Sequence, residues 1–416
     1  MRLEGNDVTT GQRLLVVGTS NSLRRGGYAE FLGRVPSVQL LNVSIGASTS
    51  IHSIWRTSAV DFAQHDAALL DFAVNEDVML RGGAISPSSI RPILTALICR
   101  ATAAQCMPVV LILPRQQPVA SLARPFYLEI AREFGLPVLD GYSVVEHLAE
   151  TAGIPTEVMF DDAAHVTSWV SALIAEILQE GVRRLLSRPA RWRKLDWASP
   201  RLKVVDVTGQ GSPSTKLVER ATSRFSGRFL RLDGPNRIEL QVEPNAHIIG
   251  IRLNLRETNA FLRLKADGEV AMDLRNSYYQ SDRYPAVISA FPLPAPLPAT
   301  AEHVVIESLS ERPQDGDVSD ASGELGTSGR PATGEVEIAD LFIQSAELLH
   351  SGFMSALDDA ERDLFDADAK DRCRLALAIY RSFNSQEKEA ALIAAFEERR
   401  LKKRAARKAA RSAVAR

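Results

Sequence analysis

The stretch LLVVGTSNSLRRGGYAEFL, residues 14–32, decides the reading of the chain. Leu14 to Val17 form an apolar run of the length of a buried strand. Gly18-Thr19-Ser20-Asn21-Ser22 follow at once, and a helix-like segment then runs to Leu32. A strand turning directly into a helix can cradle a phosphate on the helix N-terminus, or present a nucleophilic side chain. The phosphate readings lack their key residues here. A P-loop needs a second glycine and a lysine after Gly18, and a dinucleotide fingerprint needs glycine at position 20, where this chain has Ser20. A serine nucleophile remains, which requires a base to take its proton and a carboxylate to hold the base.

Outward from this stretch, strands and helices alternate as far as about residue 187. SVQLLNVSI (37–45), DAALLDFAV (66–74), MPVVLILP (107–114) and LPVLDGY (136–142) read as buried strands. SSIRPILTALICRATAAQ (88–105), LARPFYLEIAREFG (122–135) and SWVSALIAEILQEGVRRLL (168–186) read as helices. Such alternation predicts a three-layer α/β/α domain around a mostly parallel sheet, with ligands beyond the carboxyl ends of the strands. Ser20 lies at such an end. Of His52, His65, His147 and His165, only His165 has an aspartate three residues before it, Asp162. His52 and His65 have no comparable partner and read as structural or exposed.

The order of short motifs resembles that of the SGNH (GDSL-type) hydrolases over residues 12 to about 187. VVGTSNS (16–22), NVSIGASTS (42–50), DFAVNED (71–77) and DDAAH (161–165) resemble its four blocks in sequence. The resemblance implies Ser20 as nucleophile, His165 as base and Asp162 as its orienter. It also implies an oxyanion hole built from the N–H groups of Ser20 and Gly46 and the side-chain amide of Asn75. Taken singly, Ser20 can cap a helix and Asn75 can end a strand in a turn; their joint occurrence is what carries the resemblance. Thr19, Ala73, Glu76 and Val166 depart from the usual blocks and mark a divergent branch. The implied activity is removal of an ester-linked acyl group, an O-acetyl on a sugar or glycan by analogy with the family. An acyltransferase with the same triad and a non-catalytic glycan-binding or assembly protein stay open as alternatives.

The rest of the chain reads differently. Residues 188–201 look like a Pro- and Arg-rich linker. Residues 202–346 carry short Val/Ile/Phe-rich runs with period-two alternation and predict a jelly-roll-like β-sandwich. A polar Gly/Ser/Asp-rich insertion at 309–333 reads as mobile. Tyr278, Tyr279 and Tyr284 in NSYYQSDRY are candidates for stacking on sugar rings, or for packing on their own domain. Residues 347–416 read as a helical extension whose end is basic, with Arg399, Arg400, Lys402, Lys403, Arg404, Arg407, Lys408, Arg411 and Arg416 after the last acid, Glu398. That tail is either a solvated end or a contact for an anionic partner.

Composition bounds the remaining classes. At 416 residues and 45% hydrophobic content the chain has material for two or three packed domains. A formal net charge of −2 argues against a globally basic nucleic-acid binder. The three cysteines, Cys99, Cys106 and Cys373, form no C-x-x-C pair, so neither a disulfide framework nor a zinc site is expected, and no cofactor is implied. The polar N-terminus has no apolar signal-peptide core and no run is long enough to span a membrane, which makes the cytoplasm the default expectation.

Overall fold

The computed structural model describes residues 11–374 except 117–119, 154, 188–191, 211–214, 223–224, 267–268, 276–285, 300–302, 315–317, 321–333, 356, 358 and 367. The first unit is a parallel sheet of strands β1 (Gln12–Gly18), β2 (Val38–Asn42), β3 (Ala67–Asp71), β4 (Met107–Ile112) and β5 (Val138–Asp140), in the order β2-β1-β3-β4-β5. β1, β3 and β4 are buried almost throughout, as strands covered on both faces must be. The helices between them are α1 (Ser20–Leu23), α2 (Tyr28–Gly33), α3 (His52–Arg56), α4 (Ala73–Arg81), α5 (Pro87–Ala103), α6 (Ala123–Glu133), α7 (Gly141–Ala152) and α8 (Ser168–Leu186). Two apolar clusters flank the sheet. One gathers Leu15, Val17 and Leu70 with Ile90, Leu94 and Leu97 of α5. The other gathers Leu14, Val16 and Leu69 with Val170, Ile174 and Leu178 of α8. Alternate residues of β1 thus face opposite layers, as the strand period dictates.

Local sequence sets the helix ends. Ser86 caps α5 through a reciprocal bond with Ser89, and Pro87 sits at the first turn, where a missing N–H costs nothing. Asp140 caps α7 by accepting the Tyr142 N–H, and α7 ends at Gly153 with φ 66°, which glycine adopts without steric cost.

The second unit has two sheets. One orders β13 (Ile288–Ala299), β10 (Ala246–Asn254), β16 (Val336–Ser355), β8 (Ser226–Leu232) and β7 (Lys216–Ala221), with β6 (Trp192–Asp206) also paired to β16. The other orders β15 (Val318–Asp320), β12 (Glu269–Arg275), β11 (Phe261–Ala266), β14 (His303–Leu309) and β9 (Asn236–Gln241). Leu230, Ile248, Ile251 and Ile338 of the first sheet share a core with Leu240, Leu262, Leu264 and Ile306 of the second. This is the β-sandwich the alternation predicts.

Its boundaries differ from the sequence reading. Most of the expected linker 188–201 is strand: β6 pairs antiparallel with β16 from Trp192↔Ser355 to Asp206↔Asp340. Proline in the segment hid this. Pro200 lies on a strand that, among the described residues, is paired on one side, next to a register shift between Ser345 and Glu347, where a missing N–H is tolerated. For the same reason residues 347–355, expected as the start of a helical extension, are strand. The chain then returns to the first unit. The Leu364 N–H donates to the Val138 carbonyl at 2.9 Å, and Leu364, Phe365 and Cys373 are buried in the α8 layer. Gly181, inside α8, is where Leu364 comes in; a Cβ there would stand 3.1 Å from the leucine. Within the expected insertion 309–333, Val318–Asp320 pairs in parallel with β12, and 321–333 lies outside the described residues. The basic tail beyond 374 also lies outside them. Among the described residues no helix is long and apolar enough to cross a membrane.

The two units meet on α3, the loop before it and α5. Ile51, Ile54 and Ile93 pack against Ile249, Ala290 and Phe342. The Arg252 guanidinium lies 3.9 Å from the Trp55 ring centroid and pairs with Asp340, and both charges are buried. Burial pushes the Asp340 carboxyl up to about 6 against the pull of Arg252.

Candidate active site

β1 ends at Gly18, where a Cβ would lie 2.2 Å from Ser22 Oγ and 3.0 Å from Asp71 Cβ, so a larger residue would force a shift. The chain turns at Thr19 and starts α1 at Ser20. Thr19, not Ser20, holds the N-cap position, and no side chain caps this helix. The Ser20 hydroxyl is therefore not spent on a cap. Its Oγ lies 3.0 Å from His165 Nε2. His165 Nδ1 lies 2.9 Å from each carboxylate oxygen of Asp162. With the ring proton on Nδ1 donated to Asp162, Nε2 is left to accept from the serine. Asp162 Oδ1 also accepts the Ala164 N–H at 2.8 Å. Partial burial pushes the Asp162 carboxyl up, but the Ala164 N–H, His165 and Arg24 more than offset it, so its pKa falls below the ordinary value and the group stays ionised at neutral pH.

The loop that carries His165 is gripped by α1. Asn21 Nδ2 donates to the Ala164 carbonyl at 3.1 Å, and Arg24 Nη1 donates to the Val166 carbonyl at 3.0 Å. Arg24 also pairs with Asp161. These two contacts have no local signature, because the partners are 143 and 142 residues away. Thus the helix presenting Ser20 also fixes where His165 stands.

Gly46 and Asn75 arrive from the neighbouring strand ends. The Ile45 N–H donates to the Gly18 carbonyl at 3.1 Å, and the Gly18 N–H to Ser44 Oγ at 2.9 Å, which ties the Gly46 loop to the serine turn. A Cβ built on Gly46 would stand 3.9 Å from Ser20 Cβ. Asn75, buried on the first turn of α4, donates from Nδ2 to the Ser48 carbonyl at 2.7 Å. One amide N–H is used there, and an amide nitrogen carries two. Glu76 steadies the same loop by accepting the Ser50 N–H at 2.9 Å and the Tyr127 hydroxyl. Tyr278, Tyr279 and Tyr284 lie outside the described residues. Among the described residues no three His, Cys, Asp or Glu side chains gather as a metal site requires.

His52 is fully buried, with Nδ1 against the Thr49 carbonyl and its ring edge-on to Phe72 at 5.5 Å. Burial lowers its pKa to about 3, which favours the neutral ring.

Beneath the serine turn sits a second carboxyl. Asp71 accepts from Ser22 Oγ at 2.7 Å, and Ser22 Oγ is 2.8 Å from the Tyr28 hydroxyl. Burial pushes the Asp71 pKa from 3.8 to about 7, with Ser22 and Tyr28 pulling partly back. The native state therefore holds this proton between about 4 and 7, where the unfolded chain has released it. The stability this contributes is complete below about 4 and is lost as pH rises through about 7. Asp71→Asn is expected to flatten that part of the stability–pH curve and to raise Tm at pH 8, at about 1.4 kcal/mol per pKa unit removed. Thermal melts of both proteins from pH 4 to 8 check this, and parallel curves would contradict it.

No protein-family model and no curated protein matches the sequence. Solved structures do match the fold. A two-domain esterase active on acetylated mannans aligns with a TM-score of 0.52 at 14% identity, covering 82% of this chain and 94% of its own. The same kind of esterase co-crystallised with mannopentaose aligns at 0.53 and 13%, covering 82% and 92%. A protein of the G-D-S-L lipolytic group from Desulfitobacterium hafniense aligns at 0.35 and 14%, over 41% of this chain and 99% of its own. At 82% coverage the first two alignments extend through both units, so the α/β/α layer and the β-sandwich occur together in them as they do here.

Proposed function

We propose, from the premise that this chain carries the SGNH hydrolase fold joined to a β-sandwich, that it is a serine esterase removing an acyl group, an O-acetyl, from a carbohydrate. The observation that carries the reading is the chain of contacts from Ser20 Oγ to His165 Nε2 at 3.0 Å and from His165 Nδ1 to Asp162 at 2.9 Å. In this reading Ser20 Oγ attacks the ester carbonyl while its proton passes to Nε2. The oxyanion is held by the N–H groups of Ser20 and Gly46 and by the remaining Asn75 amide N–H. The alkoxide leaves with the proton from Nε2, which leaves an acyl-serine. Water attacks the acyl carbon, gives its proton to Nε2, and the acid departs as Ser20 regains its hydrogen.

The carbohydrate acetyl ester is drawn from the two-domain esterase that shares the architecture, whose substrates are acetylated mannans. Water as the acceptor is supported by the openness of the site. The side chains of His165 and Asp162 are 23% and 51% exposed, and transfer to a sugar in preference to water demands a site that excludes water. Incubation with an acetylated mannooligosaccharide is expected to release free acetate. Acetate appearing on an added glycan acceptor instead would make the chain a transferase, and no acyl release at all would overturn the reading. Asn75→Ala is expected to lower kcat by about 10²–10³ with little change in KM, because its amide acts on charge that develops in the transition state. A raised KM at unchanged kcat would make Asn75 a substrate contact.

A further inference from the structure

The loop that carries Gly46 is held by the other unit of the molecule. Among the described residues β13 is the last strand of its sheet, paired on one side with β10. Near its start it meets the loop with both a side chain and its backbone. Ser289 Oγ donates to the Ala47 carbonyl. Ser48 Oγ donates to the Ala290 carbonyl at 2.9 Å and accepts the Ala290 N–H at 3.3 Å. The serine thus closes a reciprocal pair with the open side of β13, as one more strand residue would. Ser48, Ser289 and Ala290 are all fully buried or nearly so.

The contact falls where the loop most needs support. Ala47 has φ 53°, a left-handed conformation that a side-chain-bearing residue keeps only when its surroundings impose it. The residue before it is Gly46, beside Ser20. The residue after it is Ser48, whose carbonyl receives the Asn75 amide at 2.7 Å. The two donors expected from the first unit's loop and from α4 are therefore both one step from β13. Ile51, further along, packs against Gly250 of β10 so closely that a Cβ there would stand 2.0 Å from Ile51 Cδ1.

We infer that the β-sandwich is a working part of the catalytic unit, with Ser48 and Ser289 as positioning residues that lock Asn75 and Gly46, respectively, into oxyanion-binding geometry. The inference rests on the esterase reading above. It assigns the β-sandwich a role on any ester, including one too small to touch a carbohydrate-binding surface. A displacement of about 1 Å in such a donor can cost about 10²-fold in rate.

The test is steady-state hydrolysis of nitrophenyl acetate by the full chain and by Ser289→Ala, Ser48→Ala and Ser308→Ala. Ser308, on β14 of the other sheet, is a buried serine bonded to the carbonyl of Gly234 in the turn before β9, and it serves as the structural control. Ser289→Ala and Ser48→Ala are expected to lower kcat about 10–100-fold with KM within about twofold, while Ser308→Ala lowers Tm and leaves kcat alone. In an Asn75→Ala background, Ser48→Ala is expected to cost less than about threefold more, since both act on the same donor. If Ser48→Ala does not fold, Ser289→Ala, which removes a single bond, carries the test. Native-like kcat in a folded Ser289→Ala, or an Ser48→Ala effect that multiplies in full with that of Asn75→Ala, would overturn the inference. Those results are distinguishable from failure of the esterase reading, in which Ser20→Ala itself would retain the wild-type rate; that outcome would overturn both.

Discussion

Ser20→Ala is expected to lose hydrolysis of short-chain nitrophenyl esters by roughly 10⁶-fold in kcat, the loss seen when a serine nucleophile is removed from such a triad. The change deletes one atom, the Oγ that stands 3.0 Å from His165 Nε2. Its effect on the fold is small by comparison. Ser20 does not cap α1, Gly18 still makes the tight turn, and Asn21 and Arg24 still grip the His165 loop. The expected stability loss is that of one hydrogen bond, about 0.5–1.5 kcal/mol, which is a few degrees in Tm for a domain of this size. Steady-state kinetics alongside a thermal melt check both halves. A variant that melts normally and still turns over substrate would remove Ser20 from the mechanism.

Asp162→Asn is expected to cost up to about 10⁴ in kcat with KM nearly unchanged. The carboxylate accepts the Nδ1 proton of His165 with both oxygens at 2.9 Å. An asparagine can turn its NH₂ toward Nδ1, which makes Nδ1 the acceptor and moves the ring proton to Nε2. Nε2 then cannot take the proton of Ser20. The substitution also removes the negative charge that stabilises the imidazolium formed during attack. Asp162 is about half exposed, so the change leaves no unpaired group in the core, and the loop retains its Asn21 and Arg24 contacts. A loss below tenfold would mean that Asp162 only orients the loop backbone through the Ala164 N–H.

The parallel sheet was legible because each of its strands is a short apolar run followed by a helix start, a pattern that depends on neighbours in sequence. The sequence-adjacent pairs of the candidate site were legible for the same reason: Gly18 and Ser20 are two apart, and Asp162 and His165 are three apart. What joins these pieces was not. Asn21 and Arg24 meet the His165 loop across more than 140 residues, and Ser48 meets Ala290 across 242. Nothing in a serine or an alanine marks such a partner. β6 was hidden by composition, since proline and arginine are usual in linkers and are also tolerated on a strand with one open side. Its partner strand, β16, runs on to Ser355 because β6 is there to pair with it, a fact that residues 347–355 do not carry on their own.

The most direct measurement is to treat the full chain with a serine-directed fluorophosphonate at neutral pH, digest it, and locate the adduct by peptide mass spectrometry. The reagent forms its bond with a serine that is deprotonated by a neighbouring base and faced by oxyanion donors, which are the properties assigned to Ser20. A single adduct on Ser20 is expected, formed in step with loss of nitrophenyl acetate hydrolysis, and greatly slowed in Asp162→Asn and Asn75→Ala. An adduct on another serine, or full loss of hydrolysis with Ser20 unmodified, would contradict it.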